Sequence, residues 1–260
     1  MSRPYTAQSP NLSLAWTEVF LKLMERGVNK LSPVVVSISE FDAKSLPVEH
    51  VATRSALDHF IDQSCQTVAS TIFPHSLWPP SAEDDVQQLY DRYERIWPVI
   101  AKDHRNRNGI YFRRLTAYSP RTAAEGSLPV NQLQHVIDTY RRGNHRHSAL
   151  QASILDPTRD HTNQRLRGFP CLQQVAFGAD DGRLEVTGFY ALQHHVEKAY
   201  GNYLGLCWLG RFMAKQMGLT LAQVTCVASV LKLGSGYTKG GLEPLAGIVS
   251  PILEMQQRTA

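Results

Sequence analysis

The chain has 260 residues, 43% of them hydrophobic, and a formal net charge of +4. That length and apolar content suit one sizeable core and exclude a disordered chain, while so small a charge permits an anionic ligand without marking a nucleic-acid surface. No uncharged apolar run approaches the roughly 20 residues a membrane-spanning helix needs, and Met1 to Tyr5 does not begin a secretory leader, so the expected location is cytoplasmic, with no membrane and no nucleic-acid partner.

Residues 1–10 are polar and contain proline, and read as a loose N-terminal arm on a single domain spanning 1–260. From Asn11, the residues Leu14, Trp16, Val19, Phe20, Leu23 and Met24 recur at helical spacing, with Gly27 as a stop. Val34 to Ile38 is a β-branched run and reads as the first strand of the sheet. A long amphipathic helix is predicted from about Pro47, carrying Val51, Leu57, Phe60, Ile61, Cys65 and Val68 on its apolar side. Pro74, Pro79 and Pro80 around Trp78 break it and fix a loop.

Asp84 to Trp97 reads as the next helix, and Asn131 to Arg142 as another, its basic end suiting the negative pole of the helix dipole. Ser148 to Leu155 is expected as a strand. Two β-prone runs, from Gly168 to Phe177 and from Arg183 to Tyr190, flank Asp181-Gly182 and read as a hairpin, because Gly182 accepts the positive φ such a turn needs. Pro170 cannot donate to a sheet ladder, so Cys171 after it stands at the mouth of the strand. Gln193 to Gln216 is apolar nearly all round, the pattern of a buried helix. Val224 to Leu233 reads as a final strand, and a glycine-rich stretch from Gly234 to Gly241 leads to a weak helical end limited by Pro244 and Pro251. These elements make an α/β (α+β) protein, a mixed sheet packed against helices.

Cysteines Cys65, Cys171, Cys207 and Cys226 lack Cys-x-x-Cys spacing, which argues against a zinc site and a disulfide framework. A thiol at a strand end is a candidate nucleophile, set against the commoner fate of a buried small hydrophobe. Arg113, Arg114, Arg141, Arg142, Arg146 and Lys232 offer an anion site, set against a solvated basic face. His75 offers a proton carrier, set against an exposed loop histidine. His194 and Glu197 share a helix face by their spacing of three, but two candidates do not make a metal site, and no metal is expected.

Pro170-Cys171, the turn Asp181-Gly182-Arg183, and Asn202 in the first turns of the following helix resemble the core of the thymidylate synthase and pyrimidine hydroxymethylase family, and Met213 to Leu219 continues in register. Gly109-Ile110-Tyr111, Val130-Asn131-Gln132-Leu133 and His75-Ser76-Leu77-Trp78 resemble further family segments, so the similarity runs from about Asn131 to Leu233 and more thinly before it. The resemblance implies a thymidylate synthase-like fold, a homodimer, and a one-carbon transferase (methyl or hydroxymethyl) with Cys171 as nucleophile. It implies His75 as the acid of the cofactor chemistry, Asn202 and His194 at the ring, and a tetrahydrofolate donor. Arg113, Arg114, Arg146 and Lys232 would hold an anionic, pyrimidine-like small molecule.

Departures from the family pattern limit this reading. Its phosphate-gripping Arg falls at Ala191, the Ser after it at Leu192, and its sugar-holding His-x-Tyr pair at Lys232 and Gly234. The expected substrate is therefore something other than ordinary dUMP, and the alternative is a catalytically silent member that binds a nucleotide-like ligand or a protein.

Overall fold

In a computed structural model, residues 3–79, 85–120, 122–124, 126–163 and 169–259 are described. Six strands form a mixed sheet: β1 (Tyr5–Ser9), β3 (Val34–Ile38), β4 (Gln151–Ser153), β5 (Leu172–Asp180), β6 (Arg183–Tyr190) and β8 (Thr220–Ala228), in the spatial order β1-β3-β8-β6-β5-β4. β1 runs parallel to β3 and β6 parallel to β8, while the remaining neighbours are antiparallel. Three short strands, β2 (Lys30–Leu31), β7 (Gln193–His194) and β9 (Leu231–Lys232), make a second sheet in the order β2-β9-β7.

The helices are α1 (Leu12–Met24), α2 (Val51–Asp58), α3 (Cys65–Ile72), α4 (Val86–Ile100), α5 (Tyr111–Thr116), α6 (Gln132–Arg142), α7 (Pro157–Asp160), α8 (Tyr200–Met217) and α9 (Lys239–Thr259). At the centre is α8, of whose residues only Arg211 and Lys215 escape burial. It crosses from the end of β6 to the start of β8, the helical connection that two parallel neighbours require. Its all-round apolar sequence is satisfied by the sheet on one side and by α1, α3 and α6 on the others.

One sheet face is buried under the helices and the other is not. Along β6 burial alternates strictly, with Leu184, Val186 and Tyr190 inward and Glu185, Thr187 and Phe189 outward. Pairing aligns Val35, Val227, Phe189, Gln174 and Ser153 in one outward row, and Ser37, Thr225, Thr187, Ala176 and Gln151 in the next. A third row holds Gln223, Glu185 and Gly178, and Glu185 is the single charged residue of the three.

Asn11 caps α1 by accepting from the Ser13 and Leu14 amides, and Asn131 caps α6. The hairpin turns where the spacing predicts, with Asp181 at φ 46 and Gly182 at φ 71. Several expectations are corrected. Residues 5–9 are no loose arm: they pair with β3, 29 positions away at each step of the register, and bury Ala7 and Ser9. So Val34–Ile38 is not the first strand. The helix predicted from Pro47 is two helices, because the Asp58 carboxylate accepts the Cys65 amide (2.7 Å) and Ser64 caps a new start; Val51 is left exposed.

Ser148 to Leu155 reduces to the three residues of β4, and Val224 to Leu233 divides between β8 and β9, which belong to different sheets. Gln193 and His194 are strand, not helix. Two other helices outrun their prolines: α4 passes Pro98, and α9 passes Pro244 and Pro251. An interior proline costs about 3 kcal/mol. In α9 the burial of Leu242, Leu245 and Val249, each of which contributes about 1.5–3 kcal/mol, is of comparable size. The expected starts at Asp84 and Gly168, and Pro80, lie outside the described residues.

Candidate active site

The Cys171 sulfur is partly exposed beside a cavity of about 300 Å³. Cys171 immediately precedes β5, and its carbonyl accepts the Ala191 amide (3.2 Å), so the thiol is pinned between the start of β5 and the end of β6. A cis peptide joins Phe169 to Pro170 before it. Opposite lies the segment entering α8, whose His194, Glu197, Lys198 and Asn202 line the cavity. His195 to Ala199 is wound as a π-turn, an arrangement frequent at functional sites. It places His194, Lys198 and Asn202, spaced by four, on one wall.

The remaining walls are Gln63, Val68 and Thr71 on one side and Arg105, Asn106, Gly109, Ile110 and Tyr111 on the other. Tyr111 lines the cavity beside Cys171, and its hydroxyl favours the Cys171 thiolate. Phe169 tilts against the Tyr111 ring at 5.1 Å. Gly109 closes that corner at φ +125, where a Cβ would stand 2.9 Å from Phe169, so only glycine fits.

Burial pushes the Cys171 thiol up, and the Lys198 ammonium and the Tyr111 hydroxyl draw it part of the way back. The same burial lowers Lys198, against the pull of Glu197 and Cys171. Lys198 Nζ donates to Gln63 Oε1 at 2.6 Å, which fixes its position. His194 Nδ1 lies 2.9 Å from Glu197 Oε2, and the Glu197 carboxylate accepts the Ser235 amide, which ties the glycine-rich loop to this wall. Gln193, 2% exposed, turns its amide nitrogen toward Cys226 Sγ (3.7 Å), and its Oε1 finds no hydrogen-bond partner among the described residues.

Of the residues nominated from the sequence, Cys171, His194 and Asn202 meet at this cavity, and the others do not line it. His75 stacks on Trp208 at 4.9 Å. Arg113 lies over Trp97 at 4.8 Å and pairs with Glu94. Arg114 is buried, held by Asp160 (2.8 and 3.0 Å) and by the Ile154 carbonyl (2.8 Å). Arg146 is exposed ahead of the turn His147–Ala149, and Lys232 is exposed on β9. Lys198, Gln193 and Gln63 went unnominated. The spacing of Lys198 midway between His194 and Asn202 was a signal; Gln63 had none, being 135 positions from Lys198.

Among the described residues, no group of three or more His, Cys, Asp or Glu is placed to hold a metal ion, and no helix is long and apolar enough to cross a membrane. No family model matches the sequence, and no curated protein matches it significantly. Fold and site together define a mixed α/β protein with a thiol at the edge of a small cavity.

Proposed function

We propose that this protein is a one-carbon transferase of the thymidylate synthase type, acting through a Cys171 adduct on a pyrimidine-like ring other than ordinary dUMP. The observation that carries it is a thiol at a cavity that Lys198, Tyr111 and Asn202 also line. The thiolate adds to C6 of the ring, which makes C5 nucleophilic toward a one-carbon electrophile, and it leaves again once C5 has lost its proton. Lys198 offsets the charge on sulfur. Asn202, 3% exposed, lines the cavity and reads the amide edge of the ring.

A cavity of about 300 Å³ is at the lower end of small-molecule sites and takes one heterocycle. The resemblance implies a tetrahydrofolate as the one-carbon donor. Ala191 and Leu192 provide no grip for a phosphate, which favours a substrate whose recognition rests on the ring.

The test is intact-mass detection of a Cys171 adduct after incubation with pyrimidine bases, nucleosides and nucleotides, with and without a folate donor. Cys171→Ala and Cys171→Ser abolish adduct and turnover while melting like the parent; turnover retained in either variant rejects the mechanism. A second reading, a silent binding protein, is favoured by the raised thiol and the missing phosphate grip. Ligand-induced thermal stabilisation with no adduct under any condition selects it. We also propose a homodimer joined through the outward sheet face, whose three central rows carry one charge.

A further inference from the structure

A second concavity of about 560 Å³ lies on the far side of the wall formed by Asn106, Gly109 and Ile110, residues it shares with the Cys171 cavity. Four guanidinium groups surround it, from Arg107, Arg113, Arg114 and Arg159, and among the described residues no Asp or Glu lines it. Two of the four are neutralised from behind, Arg113 by Glu94 and Arg114 by Asp160. Arg159 donates to the Ser119 carbonyl (3.3 Å), and Arg107 has no ion-pair partner among the described residues. Both are exposed. The two guanidinium groups without a carboxylate partner among the described residues, Arg107 and Arg159, repel across the hollow unless an anion enters, and the planar fork of arginine matches a phosphate oxygen pair.

We infer that this arginine-walled hollow is a binding site for a phosphate-class oxyanion, gripped by Arg107 and Arg159 over a floor of Arg113 and Arg114. It adjoins the thiol through a chain of side chains already in place: the Arg114 guanidinium stacks on the Phe169 ring at 5.1 Å, and Phe169 in turn lies on Tyr111, which reaches Cys171. The site stands apart from the thiol chemistry proposed above, since none of its four arginines lines the Cys171 cavity.

Calorimetric titration with inorganic pyrophosphate at constant ionic strength tests it. The parent protein and Cys171→Ser bind alike, whatever becomes of the thiol mechanism. The double variant Arg107→Ala/Arg159→Ala keeps the far-ultraviolet spectrum of the parent and binds about 100-fold more weakly, about tenfold for each guanidinium removed. Absence of saturable binding in the parent, or equal affinity in the double variant, overturns the inference. Uridine diphosphate separates two sources of the anion. If one ligand spans both hollows, it binds more tightly than pyrophosphate and slows iodoacetamide alkylation of Cys171. If the anion is a separate ligand, the two bind alike and alkylation is unchanged. Either result upholds the oxyanion site.

Discussion

At the level of single residues, the state of Cys171 is set by opposing effects of similar kind. Burial disfavours the thiolate, while the ammonium of Lys198 and the hydroxyl of Tyr111 favour it. Removing the charge in Lys198→Met shifts the pH profile of iodoacetamide alkylation to higher pH and slows the reaction near neutrality about tenfold, the effect of one pK unit. Lys198→Arg keeps most of the rate, and an unshifted profile in Lys198→Met would dismiss the pairing. His195 shows the same physics without a ligand. Its ring stacks on Trp16 at 5.0 Å, its Nε2–H donates to the Trp16 carbonyl (3.0 Å), and its buried Nδ1 has no partner among the described residues. Burial lowers its pKa to about 3. The unfolded chain therefore binds this proton near pH 6.5 and the folded one does not, so its contribution is complete above about pH 6.5 and is lost as pH falls toward 3. Urea titrations at a series of pH values should show stability falling by about 1.4 kcal/mol per unit over that window, with His195→Phe reducing the slope by that amount.

Among the elements, the packing of α3 on α8 decides whether the cavity exists. Gly201 and Gly205 lie one turn apart on α8, and α3 packs directly on them: a Cβ at 201 would stand 2.5 Å from Val68 Cβ, and one at 205 would stand 2.7 Å from the Ala69 carbonyl oxygen. Val68 and Thr71 of α3 also line the cavity, so the separation of these helices sets its width. Gly205→Ala should cost about 1–3 kcal/mol in urea unfolding, the usual penalty for overpacking. Gly201→Ala should in addition change the alkylation rate of Cys171, and an unaltered rate would show that α3 does not control the opening. The hairpin and the caps of α1 and α6 were legible because their signals are local: Asp181-Gly182, Asn11 and Asn131 act within four residues of themselves. The break between α2 and α3 was legible in principle, through Ser64, but the apolar periodicity continues across it and conceals it.

For the molecule as a whole, the outward sheet face is where the proposed homodimer would join. Its rows alternate Val, Phe and Ala with Thr, Ser and Gln, and the helices packed on the opposite face leave it half-buried to exposed. Sedimentation equilibrium should report twice the 29.2 kDa chain mass, and Thr187→Lys combined with Phe189→Glu should return it to the monomer. A monomeric parent protein would remove the homodimer proposal. Charges placed there should leave unfolding of the isolated chain nearly unchanged, since both positions are outward on β6.

The site was legible to the degree that its members are close in sequence to a strong local pattern. Cys171 follows a proline at a strand start, and His194 and Asn202 flank the π-turn that enters α8; all three line the cavity. Arg113, Arg114, Arg146, Lys232 and His75 were nominated by residue type, and charge alone carries no direction. By itself, then, the sequence determined the strands and helices whose periodicity is local, the buried character of α8, and the position of the thiol at the start of β5. Only the tertiary structure decided which side chains face that thiol, that residues 5–9 close the sheet edge, and that the arginines gather around a separate hollow. Those outcomes depend on pairs far apart along the chain, such as Lys198 with Gln63 and Arg114 with Asp160, whose meeting is set by packing and leaves no trace in spacing.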